Sequence, residues 1–164
     1  MTELYVMRHG ETDWNRQHRF QGQIDVPLNA AGRAQAQRLA RRLAVESFDV
    51  VVASDLLRAR TTAELAAAGY AVVSEPLWRE QSFGVLEGLD AATIIERHPQ
   101  LWTQWLLHDA DYALPGGGES VRTFQARVLL ALQRLVHQHS GARIAVFTHG
   151  GVLDMLWRAV RREP

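Results

Sequence analysis

The chain has 164 residues, 47% hydrophobic and 22% charged, and its 18 basic and 18 acidic residues give a formal net charge of zero. That is the balance of one globular domain, able to bury roughly 70% of the surface its unfolded chain exposes, with no net field toward nucleic acid or anionic membrane. Cysteine is absent and every basic residue is arginine, which excludes disulfides, thiolate metal sites, cysteine nucleophiles, Walker-type loops and Schiff-base chemistry.

Genomic base composition is the plainest account of the missing lysine, although arginine suits bidentate phosphate binding where a particular position supports it. No apolar run approaches the ~20 residues that span a bilayer. The first histidine stands too near the N-terminus for a cleaved signal peptide to precede it, so the expectation is a cytoplasmic protein.

In chain order, Leu4 to Met7 reads as a short buried strand closed by Arg8-His9-Gly10. Glu11 to Pro27 is polar and reads as a loop. A helix is expected from Asn29, with Ala34, Leu39, Ala40 and Leu43 inward and an arginine-rich face in solvent. Asp49 to Ala53 is a second strand, and Ser54 is the expected N-cap of a helix from Asp55 to about Ala68, which puts Arg58 one turn in. Tyr70 to Val73 forms a third strand, and a loop carries Arg79, Glu80, Gly84 and Gly88. Helical residues from about Asp90 are divided at Pro99. After the break at Pro115-Gly116-Gly117-Gly118, the longest helix runs from about Ser120 to His139. Ile144 to Phe147 is a fourth strand, followed by a helix from Val152 to about Arg161. The alternation predicts an α/β fold, a three-layer α/β/α sandwich around a mainly parallel central sheet, as a single domain over 1–164.

In open parallel sheets ligands bind beyond the carboxyl ends of the strands. Three strands here end in Arg8-His9-Gly10, in Ser54-Asp55 with Arg58, and in Thr148-His149-Gly150. Parallel pairing would bring two histidines and two arginines to one edge. Helix N-termini at Ser54 and after Gly150-Gly151 would add backbone N–H groups. Such a pocket suits a doubly charged anion, with phosphate the first candidate. Nearby arginines favour neutral imidazoles, and a neutral imidazole can attack phosphorus to give a phosphohistidine. The remaining charge would hold the equatorial oxygens, and Glu80 is the candidate general acid and base. On physical grounds either histidine could be the nucleophile.

The run Leu4-Tyr5-Val6-Met7-Arg8-His9-Gly10-Glu11-Thr12, with Asn15, resembles the signature of the histidine phosphatase superfamily, the phosphoglycerate mutase-like proteins. Four more segments resemble it in order: Arg19-Phe20-Gln21-Gly22, Ser54-Asp55-Leu56 with Arg58-Ala59, Arg79-Glu80 with Phe83-Gly84 and Glu87-Gly88, and Phe147-Thr148-His149-Gly150-Gly151. The Pro115 to Ser120 turn resembles its phosphatase branch. Thr61 departs from the glutamine of many relatives. The resemblance implies that His9 is phosphorylated and that Arg8, Arg58, His149 and Gly150 bind the phosphoryl group. Asn15, Gln21 and Gly22 would line the same pocket, and Glu80 would carry the proton. It also implies no metal, no cofactor, and a sheet with one antiparallel edge strand.

Within the family, a phosphoglycerate mutase follows its glutamate with Arg-His-Tyr and supplies lysine and paired arginines for a carboxylate. Glu80 is followed by Gln81-Ser82-Phe83, no lysine exists, and the chain is shorter than those mutases. The expectation is therefore a metal-independent phosphomonoesterase acting on a small phosphorylated metabolite, with no nucleic-acid or membrane partner and a homodimer left open. Rival readings are phosphoglycerate mutase-type transfer, a zinc enzyme with His9, His149 and Glu80 as ligands, and a noncatalytic phosphate-binding module. Trp78, Trp102 and Trp105 are read as core or as a substrate pocket beside Glu80. His18 is a candidate pocket residue. His98, His108, His137 and His139 read as surface, and Asp109-Ala110-Asp111 as loop.

Overall fold

The computed structural model describes residues 1–161, so the last three residues of the expected 1–164 domain lie outside the described residues. Four strands form the sheet: β1 (Glu3–Arg8), β2 (Val50–Ala53), β3 (Val72–Ser74) and β4 (Arg143–Thr148). Their order is β1-β4-β2-β3, and every pairing is parallel. The register sets Arg8 against Thr148 and Ala53 against Phe147, so the three long strands end level with one another. No antiparallel edge strand occurs in this sheet among the described residues, which corrects that part of the family expectation.

Alternate residues of each strand face opposite layers. Val52, Ile144 and Val146 pack against α6 (Val121–Gln138) and α7 (Gly150–Arg161) through Phe124, Val128, Leu135, Val152 and Met155. Val51, Ala53, Ala145 and Phe147 pack against α2 (Ala30–Leu43) and α3 (Leu57–Ala66) through Leu43, Ala63 and Ala66. The structure is thus the expected three-layer sandwich. Trp78 is fully buried in the first of these cores, which decides its role as packing.

Local chemistry explains the helix starts. Asn29, Asp90 and Ser120 cap α2, α4 (Ala91–Arg97) and α6, each side chain accepting from the backbone N–H three residues on. Two expectations are corrected. The 11–27 segment contains a short helix, α1 (Asp13–Arg16), built by a reciprocal capping box between Thr12 and Asn15. The N-cap of α3 is Leu56, not Ser54, and its side chain makes no capping bond. Instead Asp25, far away in sequence, accepts from Leu57 N at 2.7 Å. Beyond the sheet, α4 and α5 (Pro99–Leu106) cover a small cluster around Leu86, Ile94 and Leu114, edged by Phe20, Phe83, Trp102 and Trp105.

Candidate active site

The level strand ends deliver the expected residues to one place. Arg8 is the last residue of β1 and His9 follows it; His149 follows β4, Ser54 follows β2, and Arg58 is the second residue of α3. Above them opens a cavity of about 740 Å³. Its walls carry Arg8, His9, Asn15, Gln21, Gly22, Arg58 and Glu80, together with Glu11, His18, Arg19, Phe20, Gln35 and Phe83. His149 and Gly150 do not line it: His149 is fully buried and Gly150 partly exposed.

The two imidazoles stack edge to face with ring centroids 5.2 Å apart. His9 Nδ1 lies 2.7 Å from the Gly10 carbonyl oxygen. A carbonyl only accepts, so Nδ1 carries the proton and Nε2 keeps its lone pair. Burial first, then the charge of Arg58, lowers the His9 pKa from 6.5 to about 3, and the ring is neutral across the working range. His149 is fully buried, with Nε2 2.8 Å from Ser54 Oγ. Burial and the Arg58 charge hold its pKa well below 6.5. The Ser54 hydroxyl therefore serves a histidine, and it meets the start of α3 only through a longer bond of 3.3 Å from Leu56 N.

Arg58 is also fully buried, an unusual place for a guanidinium. Its two terminal nitrogens donate to Ile24 O at 2.9 Å and Gly22 O at 2.7 Å, which folds the Gln21–Ile24 loop over the site. Burial lowers its pKa to about 10, so it stays charged. Gly22 has φ +51, and a side chain there would run into the Glu87 carboxylate. Among the described residues, the buried side-chain nitrogens without a hydrogen-bond partner are Arg58 Nε and His149 Nδ1. Buried polar atoms are rarely left so, and both belong to residues gathered at this site. Thr62 links the layers: its hydroxyl donates to Arg58 O at 2.7 Å and accepts from Gly10 N at 3.0 Å.

Glu80 stands across the cavity. Its oxygens accept from Gly151 N and Gln81 N, both at 3.0 Å. Burial raises its pKa above 4.5, against the pull of those amides and of Arg58, so it retains its proton further up the pH scale than an ordinary glutamate. A Cβ on Gly151 would intrude on Glu80 Oε1, so a larger residue there displaces the carboxyl. Asn15 Oδ1 is used within α1's cap, accepting from Thr12 N, and Gln21 Oε1 accepts from Thr12 Oγ1. Both amides thereby keep their N–H₂ groups for a ligand.

Four supporting residues carry no role in the sequence reading. Glu87 accepts from the amides of Gln23, Ile24 and Phe83 and shapes the loop above Arg58. Asp25 caps α3, while Glu119 and Arg127 anchor the Glu80 segment. Each acts on groups distant in the chain, so no local pattern marks it; Glu87 and Glu119 stand inside segments that carry the family resemblance. Arg79 forms a two-pronged pair with Asp55 at 2.6 and 2.7 Å. His18 reaches the cavity, while His108 and His137 are exposed. Trp105 borders the neighbouring cavity with Glu80. The rival zinc constellation does not form: among the described residues no three histidine, cysteine, aspartate or glutamate side chains cluster as ligands.

A model of the histidine phosphatase superfamily (branch 1) matches residues 4–164. Phosphoglycerate mutase-like protein 4 of Arabidopsis thaliana is 41% identical over 163 residues, covering 97% of this chain and 71% of that protein. A metal-independent phosphoserine phosphatase of the same plant is 38% identical over 161 residues, covering 96% of this chain and 68% of that protein. The alpha-ribazole phosphatase of Shigella flexneri superposes with a TM-score of 0.90 at 32% identity, covering 98% of this chain and 80% of the other. The chain belongs to the histidine phosphatase superfamily, a family of phosphatases and mutases. No helix among the described residues is long and apolar enough to cross a membrane.

Proposed function

We propose that the chain is a phosphomonoesterase that needs no metal and transfers the phosphoryl group of a small ester first to His9 and then to water. The observation that carries this reading is the fixed tautomer of His9: its Nδ1 proton is committed to Gly10 O, which leaves the Nε2 lone pair for attack. Arg58 and Arg8 supply positive charge for the equatorial oxygens, with Asn15 and Gln21 amides at the rim. His149 Nδ1 and Arg58 Nε are the unpartnered atoms an oxyanion would satisfy.

In the first step Nε2 forms a bond to phosphorus, the ester P–O bond breaks, and the leaving oxygen takes the Glu80 proton. In the second, a water gives a proton to the Glu80 carboxylate and its oxygen displaces His9, which returns neutral. Hydrolysis rather than mutase transfer is favoured by Gln81-Ser82 after Glu80, and by the commitment of Arg79 and Arg127 to Asp55 and Glu119. A metal-independent phosphoserine phosphatase and an alpha-ribazole phosphatase among the relatives support the same direction.

The test is rapid quenching with radiolabelled p-nitrophenyl phosphate. An acid-labile, base-stable label on the protein, absent in His9→Ala and present in His149→Ala, is expected. A label retained in His9→Ala would overturn the assignment of the nucleophile. Label transferred to phosphoglycerate faster than to water would make the enzyme a mutase.

A further inference from the structure

Glu80 lies on the wall between two cavities. One is the space above His9; the other, of about 680 Å³, lies on the far side of Glu80 and Phe83, which line both. The second cavity is walled by Trp105, Tyr112 and Phe124. Phe83 and Trp105 meet edge to face at 5.6 Å, and Phe20 braces both at 5.2 and 5.4 Å, so three rings fix one wall.

The position of the acid constrains the substrate. Glu80 must reach the oxygen that bridges phosphorus to the leaving group. With phosphorus at His9 and the proton at Glu80, the carbon skeleton of the ester extends past Glu80 toward the ring-lined space. The charged groups around that space disfavour an anion there. Arg158 donates to Asp154 at 2.8 Å, Glu119 is held by Arg127, and Asp109 adds a further carboxylate. A leaving group with its own carboxylate would meet the carboxylates of Asp109, Glu119 and Asp154, with Arg158 already engaged and His108 the other basic side chain on that wall.

Resting on the phosphomonoesterase reading, we infer that this second cavity is the leaving-group site and that it selects an uncharged alcohol bearing a flat apolar or aromatic body. The rings of Phe83, Trp105 and Tyr112 receive that body, while the phosphoryl end stays with His9 and Arg58. A phosphoglycerate is a poor fit on this account, and so is a small alkyl ester that leaves the rings unfilled.

Benzyl phosphate, ethyl phosphate and 4-carboxybenzyl phosphate test this, because their alcohols have similar intrinsic leaving ability but differ in ring and charge. For the unmodified protein, kcat/KM for benzyl phosphate should exceed that for ethyl phosphate by about 30-fold, the range a filled apolar pocket provides. It should exceed that for the carboxylated ester by about tenfold or more. Trp105→Ala should reduce the benzyl-to-ethyl ratio to about 3, and Trp105→Phe should restore most of it. Equal ratios in the unmodified protein, preference for the carboxylated ester, or a Trp105→Ala ratio unchanged would each overturn the proposal. Should Trp105→Ala fold poorly, the substrate order of the unmodified protein and a Tyr112→Ser variant decide the matter in the same way. If no ester is hydrolysed, the phosphomonoesterase reading fails, and calorimetric binding of benzyl against ethyl phosphate still separates a ring-binding cavity from none.

Discussion

The Arg127 guanidinium grips the Glu119 carboxylate with two hydrogen bonds of 2.7 Å each, Nε to Oε1 and Nη2 to Oε2. Its remaining donors go to the carbonyls of Leu77, Arg79 and Glu80, while Glu119 accepts from Ser82 N. One ion pair, with side chains only 16% and 20% exposed, thus fixes both flanks of the segment that presents Glu80.

Arg127→Met retains the aliphatic stem but strands an acidic group and three carbonyls. Breaking a largely buried pair by removing one partner is expected to cost about 3 kcal/mol, read as a lower denaturant midpoint. Because Glu80 loses its support, kcat for a poor leaving group should fall more than KM rises. A variant that is less stable but unchanged in kcat would restrict Arg127 to a folding role.

Gly151→Ala places a methyl group against Glu80 Oε1. The carboxyl must shift, so proton delivery suffers while phosphoryl binding does not. For an alkyl phosphate kcat should fall about 100-fold, the lower part of what a general acid provides. For p-nitrophenyl phosphate, whose leaving group needs no proton, phosphoenzyme formation should change by less than about tenfold. Equal losses with both esters would contradict the role given to Glu80.

Stability should depend on pH through the histidines. Their folded pKa values are depressed, that of His9 to about 3 from 6.5, so between these limits the unfolded chain binds more protons than the native one. Stability therefore rises with pH across that window and is lost on acidification. For His9 alone the loss at pH 4.5 is on the order of 2–3 kcal/mol. Glu80 acts in the opposite sense, since its raised pKa makes the native state the better proton binder just above pH 4.5. Two histidines outweigh one glutamate, and thermal melts from pH 8 to 4.5 should show a falling midpoint. His9→Phe should flatten the slope.

Activity should titrate with Glu80. Ester cleavage needs the protonated carboxyl, so kcat for an alkyl phosphate should decline as pH rises through the Glu80 pKa, which burial places above 4.5. No matching loss from His9 is expected until the pH approaches 3. Glu80→Gln should remove the alkaline decline and lower kcat by about 100- to 10,000-fold. A profile unchanged in Glu80→Gln would move the proton to another group.

The strand ends were legible in the sequence because Tyr5-Val6-Met7 and Ile144 to Phe147 are apolar runs broken abruptly by charge, and parallel pairing follows from the intervening helices. His9, Arg58 and Glu80 could be singled out because each closes a strand, opens a helix or punctuates a loop. What escaped was mostly non-local, with one local exception. Thr12 and Asn15 form a capping box hidden within a polar stretch. The Ser54 hydroxyl looked like a cap because serine at a helix start usually is one, and here His149 competes for it. Asp25 and Glu87 act on amides brought close only by the fold, and Trp78 could not be told from a pocket residue until the sheet covered it.

The carboxylate of Asp25 on Leu57 N has a consequence for the economy of the site. Glu80 occupies Gly151 N at the start of α7 in the same way. Each of these helix starts thus has one amide already taken by an internal carboxyl group. Inorganic phosphate arriving there finds arginine charge but one amide fewer at each helix start. On the proposed reading this loosens the grip on product, so that each turnover ends in release rather than in a stalled complex.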